Sequence, residues 1–155
     1  MRFVDCRCGR KHYGPYGAAG LVLRNPEGLV LMAHRSPLTH VGGVWGFPGG
    51  ALELDETPVD AALREAAEEL GIPGEAVEVS LVLTGTDHTD WRYSYVLATL
   101  HPAWPALELH PNWENEEVAW VTLAGIADLP LHPDLRVDLP VLLQAWSEPP
   151  SLSSS

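Results

Sequence analysis

Residues 50–72, GALELDETPVDAALREAAEELGI, constrain this chain more than any other stretch. Thr57 suits the cap before a helix, Pro58 suits the first helical position and Asp60 sits where a capping-box acid belongs. Gly71, followed closely by Pro73, marks the stop, so the spacing predicts a helix over residues 58–70. At about 100° per residue, Val59, Leu63, Ala66 and Leu70 fall within a stripe about 60° wide, and Glu65, Glu68 and Glu69 lie on an arc of about 100° on the other side. One face is expected to pack and the other to present carboxylates.

Carboxylates three and four residues apart on a helix repel and cost stability. Their arrangement makes sense when cations sit between them. Oxygen-only ligands select hard ions, magnesium or manganese, which keep several waters and bridge protein carboxylates to substrate phosphates. A solvated acidic face is the plainer reading of a charge run taken alone. The order of the whole stretch displaces it: Gly50 precedes Glu56 by six positions, Glu56 precedes Arg64 by eight, and Arg64 leads directly into Glu65, Glu68, Glu69 and Gly71.

The rest of the chain reads around that helix. AAGLVL within residues 17–23 and LVLMA at 29–33 predict two strands, with RNPEG between them as hairpin turn chemistry. The following loop, SPLTHVGGVWGFPGG, is dense in glycine and proline and is expected to be irregular and close-packed, with Trp45 and Phe47 in the core. Arg35, at the end of the second strand, is a candidate for contacting a phosphate or a base. Residues 77–84 and 93–100 predict a second long hairpin whose polar tip carries Asp87, His88 and Asp90. An acidic loop, NWENEE, leads into a short strand, VAWV, and a helix is expected from about Asp134 to about Trp146. The chain contains no internal repeat, and SEPPSLSSS, without apolar periodicity, reads as a frayed tail.

At 155 residues the chain fits one compact domain with a core large enough to fold without staples. A hydrophobic fraction of 46% against 19% charged residues belongs to a globular protein. No apolar run approaches the roughly 20 residues of a membrane span, and MRFVDCRCGRKH lacks the apolar core of a secretory signal, so a cytoplasmic location is the expectation. The net charge of -12 argues against wrapping long nucleic acid and, for a polyanionic ligand, calls for a divalent cation. Cys6 and Cys8 are too close for an unstrained disulfide and are expected as thiols; with His12 they could also form a small zinc clip, C-x-C-x3-H, though thiols beside a surface histidine are the plainer reading.

The stretch that began this reading resembles the Nudix box, G-x5-E-x7-R-E-U-x-E-E-x-G-U with U aliphatic, at every specified position, Ala66 and Ile72 filling the U sites. WGFPGG before the box and the later Glu-rich loop running into VAWV look like Nudix proteins as well. The resemblance implies an α/β/α sandwich with a mixed β-sheet and the box as a loop-helix-loop at the catalytic edge. It divides the chain into an N-terminal cysteine-containing arm (1–16), a Nudix domain (17–146) and a tail (147–155).

By the same resemblance, Glu65, Glu68 and Glu69 bind Mg2+ or Mn2+ with the carbonyl of Gly50 as a further ligand, while Glu56 and Arg64 pair and orient the loop against the helix. The general base falls to Glu65 or to a later-loop glutamate, Glu116 or Glu117, with His88 a weaker candidate. The implied reaction is hydrolysis of a pyrophosphate linkage in a nucleoside di- or triphosphate derivative, by attack of water on phosphorus. A MutT-like triphosphate pyrophosphatase is the default, although the purine-reading asparagine of MutT is not identifiable near LPLHPD. The alternative is a silent Nudix-fold module that binds a nucleotide without cleaving it, which an intact box disfavours. Prenyl diphosphate isomerisation is disfavoured by the position of Cys6 and Cys8. The expected partner is a small nucleotide, with no long nucleic acid and no membrane; association into a homodimer is left open.

Overall fold

The structure is a computed structural model that describes residues 3–5, 11–13, 16–37, 42–87, 92–104 and 107–147. Its first elements, β1 (Phe3–Asp5) and β2 (Lys11–Tyr13), pair antiparallel, so the N-terminal arm contains a small hairpin. Cys6 and Cys8 lie outside the described residues, as does the side chain of His12, and with them the zinc clip; His88, Asp90 and the tail beyond 147 lie outside as well.

The main sheet is built on β3 (Ala18–Arg24), which pairs in parallel with β8 (Arg92–Leu100) along its whole length, from Ala18↔Tyr93 to Arg24↔Thr99. β8 in turn pairs antiparallel with β7 (Val77–Asp87), the expected second hairpin, with an irregularity in register around Ser80. The sheet is therefore mixed.

The first hairpin is only partly the one expected. β4 (Val30–Arg35) meets β3 at Arg24↔Val30, beside a turn in which the Asn25 side chain accepts from the N–H groups of Glu27 and Leu29 at 3.0 and 2.9 Å. Beyond that point the two strands part. The glycine-rich segment fills the opening: β5 (Trp45–Gly46) pairs with β4, and β6 (Gly49–Ala51) pairs with β3. A Cβ on Gly49 would collide with the backbone of Ala19 and Gly20, so only glycine permits this approach. The loop expected to be irregular is thus partly strand. The outer edge of β4 carries β9 (Asn115–Val121), which contains the predicted VAWV strand.

Helices cover both faces. α1 (Pro58–Leu70) has the predicted limits: Thr57 Oγ1 accepts from Asp60 N at 3.1 Å, and Gly71 ends the helix at φ 74°. Behind it, a cluster of Leu21, Leu23, Leu31, Val96 and Ala98 packs on Ala61, Ala62, Ala66 and Leu70. On the other face α3 (Pro133–Ser147) covers Val22, Met32, Phe47 and Leu97 with Leu135, Leu139 and Leu142; α2 (Leu123–Ile126) is a single turn that the sequence reading omitted. Phe47 is core as expected, whereas Trp45 is only half-buried. None of these helices is long and apolar enough to cross a membrane.

The buried face of α1 corrects the predicted stripe. Val59 and Leu63 pack only at the rim, and the buried positions are Ala61, Ala62, Glu65, Ala66, Glu69 and Leu70, an arc of about 180°. Alanine explains the rotation. Its small side chain draws the helix close to the sheet on the 61–62–66 side, and that carries two of the three carboxylates inward while leaving Glu68 outside.

Candidate functional site

Arg64 ties the loop before α1 to the helix. Its Nε donates to Glu56 Oε2 at 2.8 Å and its Nη2 to Glu56 Oε1 at 2.9 Å, a two-point bond that matches the planar guanidinium. The remaining donors reach Ala51 O on β6 at 3.0 Å, Glu65 Oε2 at 2.9 Å and Glu68 Oε1 at 3.2 Å. Glu56 also accepts from the backbone N–H of Glu53 at 2.9 Å, closing the loop. The guanidinium holds the Glu56 carboxyl below its ordinary range, and Glu56, followed by Glu65 and Glu68, raises the arginine further above neutrality.

Behind Arg64 lie Glu65 and Glu69, 9% and 2% exposed. Burial pushes Glu69 up to about 9; Asn115 opposes the shift, while a proton shared with Glu65 and the charges of Glu65 and Glu114 add to it. Glu69 Oε1 accepts from Asn115 Nδ2 at 3.0 Å, whereas no donor among the described residues reaches the buried Oε2. A buried oxygen of this kind costs free energy unless something positive meets it. Gly50 faces Glu65 so closely that a Cβ there would lie 2.6–2.8 Å from the carboxylate atoms.

Two inward carboxylates, one unsatisfied oxygen and a backbone stripped of side chain beside them fit a hard divalent cation. Glu68 stands apart from this pair: it is half-exposed and bonded to Arg64, and among the described residues no three acidic, imidazole or thiol groups are already gathered around one point. Repulsion accounts for the difference, since Arg64 is the nearest relief for a third negative charge on the same helix.

The later loop is fastened to the C-terminal end of α1. His110 N donates to Leu70 O at 2.7 Å, Asn112 N to Glu69 O at 2.8 Å and Asn112 Nδ2 to Glu68 O at 3.3 Å, so three carbonyls at the helix end gain donors. The same asparagine holds Glu114, donating to its Oε1 at 3.3 Å and accepting from its N–H at 3.0 Å, while Ser36 N donates to Glu114 O at 2.8 Å. Glu114 is the loop carboxylate whose charge acts on Glu69.

The two loop glutamates named from sequence sit further along β9, and both are exposed. Register across β4 shifts between His34 and Arg35, which leaves Glu116 as the extra residue of a bulge, with its Oε1 3.2 Å from His34 Nδ1, and aligns Glu117 with His34. Glu114, Asn112 and Asn115 carry no individual mark in the sequence. Only the acidic character of NWENEE marked the region, and nothing in a local pattern says which of its residues turns inward.

Arg35 closes the other side, paired in register with Asn115 and near enough to Tyr93 to act on its hydroxyl, as Glu69, Asp134 and Asp138 also do. Burial raises Tyr93 and Tyr95 above the usual phenol range. Tyr95 donates to Asp138 Oδ2 at 2.6 Å, and the Tyr93 and Tyr95 rings lie 4.9 Å apart, forming a polar seam between β8 and α3. Those residues, 43 positions apart in the case of Tyr95 and Asp138, carry no signal in the sequence.

With this geometry in place, the known proteins that match are informative. The sequence profile of the NUDIX domain matches residues 15–142. A Mycobacterium tuberculosis protein provisionally named 8-oxo-dGTP diphosphatase 3 is 46% identical over 134 residues, covering 81% of this chain and 60% of that protein. A Bifidobacterium longum protein named as a nucleoside triphosphate pyrophosphatase/Nudix hydrolase fusion is 35% identical over 144 residues, 89% of this chain and 30% of that one. The chain therefore spans about 60% or less of the length of these curated relatives. Among solved structures, the crystal structure of RenU, a Nudix hydrolase from M. smegmatis, superposes with a TM-score of 0.84 at 36% identity, covering 98% of both chains. With the box residues, the α/β/α sandwich and these matches in agreement, the chain belongs to the Nudix hydrolase family.

Proposed function

We propose that this chain is a divalent-metal-dependent hydrolase that cleaves the pyrophosphate linkage of a nucleoside triphosphate or a related nucleoside diphosphate derivative, by attack of water on phosphorus. The observation that carries the proposal is the buried, unpartnered Oε2 of Glu69 beside Glu65, at the place where Gly50 leaves room. The name borne by the Mycobacterium tuberculosis relative, 8-oxo-dGTP diphosphatase, supports a triphosphate as the substrate class.

Glu65, Glu69 and the carbonyl of Gly50 are the residues that would hold Mg2+ or Mn2+, with Glu68 joining once it leaves Arg64. When bound, such an ion neutralises phosphate charge and acidifies water. The chain's own groups do the rest. Arg64 and Glu56 fix the loop against the helix, Arg35 meets substrate charge, and a carboxylate takes the proton from the attacking water.

For that last role Glu114 is favoured over Glu116 and Glu117, because Asn112 tethers it beside Glu69 while the other two are exposed on β9. Glu65 is the other contender, being buried at the site itself. A silent nucleotide-binding module would not require every box residue to be retained.

The test is a panel of nucleoside triphosphates, oxidised nucleotides, dinucleotides and nucleoside diphosphate sugars, assayed with Mg2+ or Mn2+ and repeated with Glu69→Gln. Metal-dependent turnover of a triphosphate, lost in the variant, is the expected result; no turnover on any member, or full activity in Glu69→Gln, refutes it.

A further inference from the structure

Asn115 is one of the few buried polar side chains, 6% exposed, and its carboxamide is committed to Glu69. In the ionised form that would meet a cation Glu69 can only accept, so the atom able to stay bonded to it is the amide nitrogen and not the amide oxygen. The side chain cannot turn round and offer its oxygen to a cation without leaving Glu69 Oε1 bare.

Its position is fixed from several directions. Asn115 N donates to Asn112 O at 3.2 Å, its Cα stands opposite Arg35, and the bulge at Glu116 lets Asn115 turn inward while its neighbour stays exposed. Asn112 is itself bonded to the Glu69 backbone at 2.8 Å. Thus the loop holds Glu69 by its main chain and by one oxygen of its side chain.

The consequence is an asymmetry between two oxygens of one carboxylate. Oε1 carries a neutral amide donor, and Oε2 has no donor among the described residues. Calcium takes six to eight oxygens at about 2.3–2.6 Å and often grips a carboxylate by both oxygens, whereas magnesium requires near-octahedral geometry at about 2.0–2.1 Å and takes carboxylates by one. A donor held on Oε1 draws off its electron density and occupies one of its two lone pairs, which weakens that oxygen as the second point of a two-point grip.

We propose that Asn115 sets the cation preference of the site: by hydrogen-bonding Oε1 it makes Glu69 a one-oxygen ligand through Oε2, and so favours magnesium and manganese over calcium. The inference rests on the metal-dependent reading above and makes Asn115 a positioning residue, since it acts through Glu69.

The experiment measures metal binding rather than turnover. Mg2+ and Ca2+ affinities are obtained by calorimetry and by competition against Mn2+ followed by its paramagnetic signal, for the parent chain, for Asn115→Leu, which has the same branched shape but no donor, and for Glu69→Gln. The parent is expected to bind Mg2+ more tightly than Ca2+, and Asn115→Leu to narrow that ratio by about tenfold, the scale on which partners of metal ligands act. A parent that binds Ca2+ as tightly as Mg2+, or a folded Asn115→Leu that keeps the parent's ratio, overturns the proposal and leaves the hydrolase reading standing. Absence of divalent-ion binding in the parent, or binding untouched by Glu69→Gln, overturns both. One readout needs no folded variant: the Asn115 side-chain amide protons keep their hydrogen-bonded NMR shift when Mg2+ saturates the parent, and loss of that signature on saturation counts against the proposal.

Discussion

Arg64 grips both carboxylate oxygens of Glu56, at 2.8 and 2.9 Å, and thereby binds the loop before α1 to the helix whose next residue, Glu65, lies at the site. Both side chains are less than one-quarter exposed, so the bond is shielded from competing water. A double-mutant cycle of Glu56→Gln and Arg64→Lys, followed by chemical denaturation, is expected to give a coupling energy of about 1–3 kcal/mol. A coupling near zero would mean that the loop is held by other contacts.

The same pair sets a pH dependence. The folded-state pKa of Glu56 lies below its unfolded value of 4.5, so its contribution to stability is present above pH 4.5 and is lost as pH falls through the depressed folded value. Thermal melts should show parent and Glu56→Gln furthest apart at neutral pH, with the gap closing only below pH 4.5. A gap that closes on the alkaline side would contradict the assignment.

Two adjacent glycines are expected to fail in different ways. At Gly49 an added Cβ meets the backbone of Ala19 and Gly20, so Gly49→Ala should cost about 2–4 kcal/mol or prevent folding. At Gly50 it meets only the far end of the Glu65 side chain, 2.6–2.8 Å away, so Gly50→Ala should melt near the parent temperature yet lose turnover by about 100-fold, because Glu65 is displaced. Calorimetry and steady-state kinetics on the two variants separate the cases; an active Gly50→Ala would remove Gly50 from the site.

Glu69 illustrates a conflict between stability and activity. Burial, with Glu65 and Glu114 beside it, pushes its carboxyl up to about 9, so at neutral pH without divalent ions the group must take up a proton to fold, and Glu69→Gln should raise stability by about 1 kcal/mol while turnover falls by orders of magnitude. Melts in chelator alongside the activity assay test this. A destabilised variant would show that the carboxylate is favourably satisfied without a cation.

Among the glutamates of the later loop, Glu114→Gln is expected to lower kcat by about 100-fold or more, with Glu116→Gln and Glu117→Gln within a few-fold of the parent. The comparison is made at saturating substrate and metal. Equal losses in all three, or a loss confined to Glu116 or Glu117, would return the base to the positions first read from the sequence.

The sequence by itself determined the box, the limits of α1, the paired strands β7 and β8 and the final helix, because caps, turns and periodic burial act over a few residues and leave a local record. It marked Glu65, Glu68 and Glu69 as a group, yet predicted them on a single outward face. Tertiary structure alone decided that Glu65 and Glu69 turn inward, since that rotation follows from how closely three alanines let α1 approach the sheet. It also decided that β3 and β4 part to admit Gly49, that Asn112 and Asn115 reach back to Glu69, and that Glu114 rather than its neighbours comes near. The contacts of Asn112 and Asn115 join residues more than 40 positions apart, and the energy of all these contacts depends on backbone approach and on a bulge, neither of which any short pattern records.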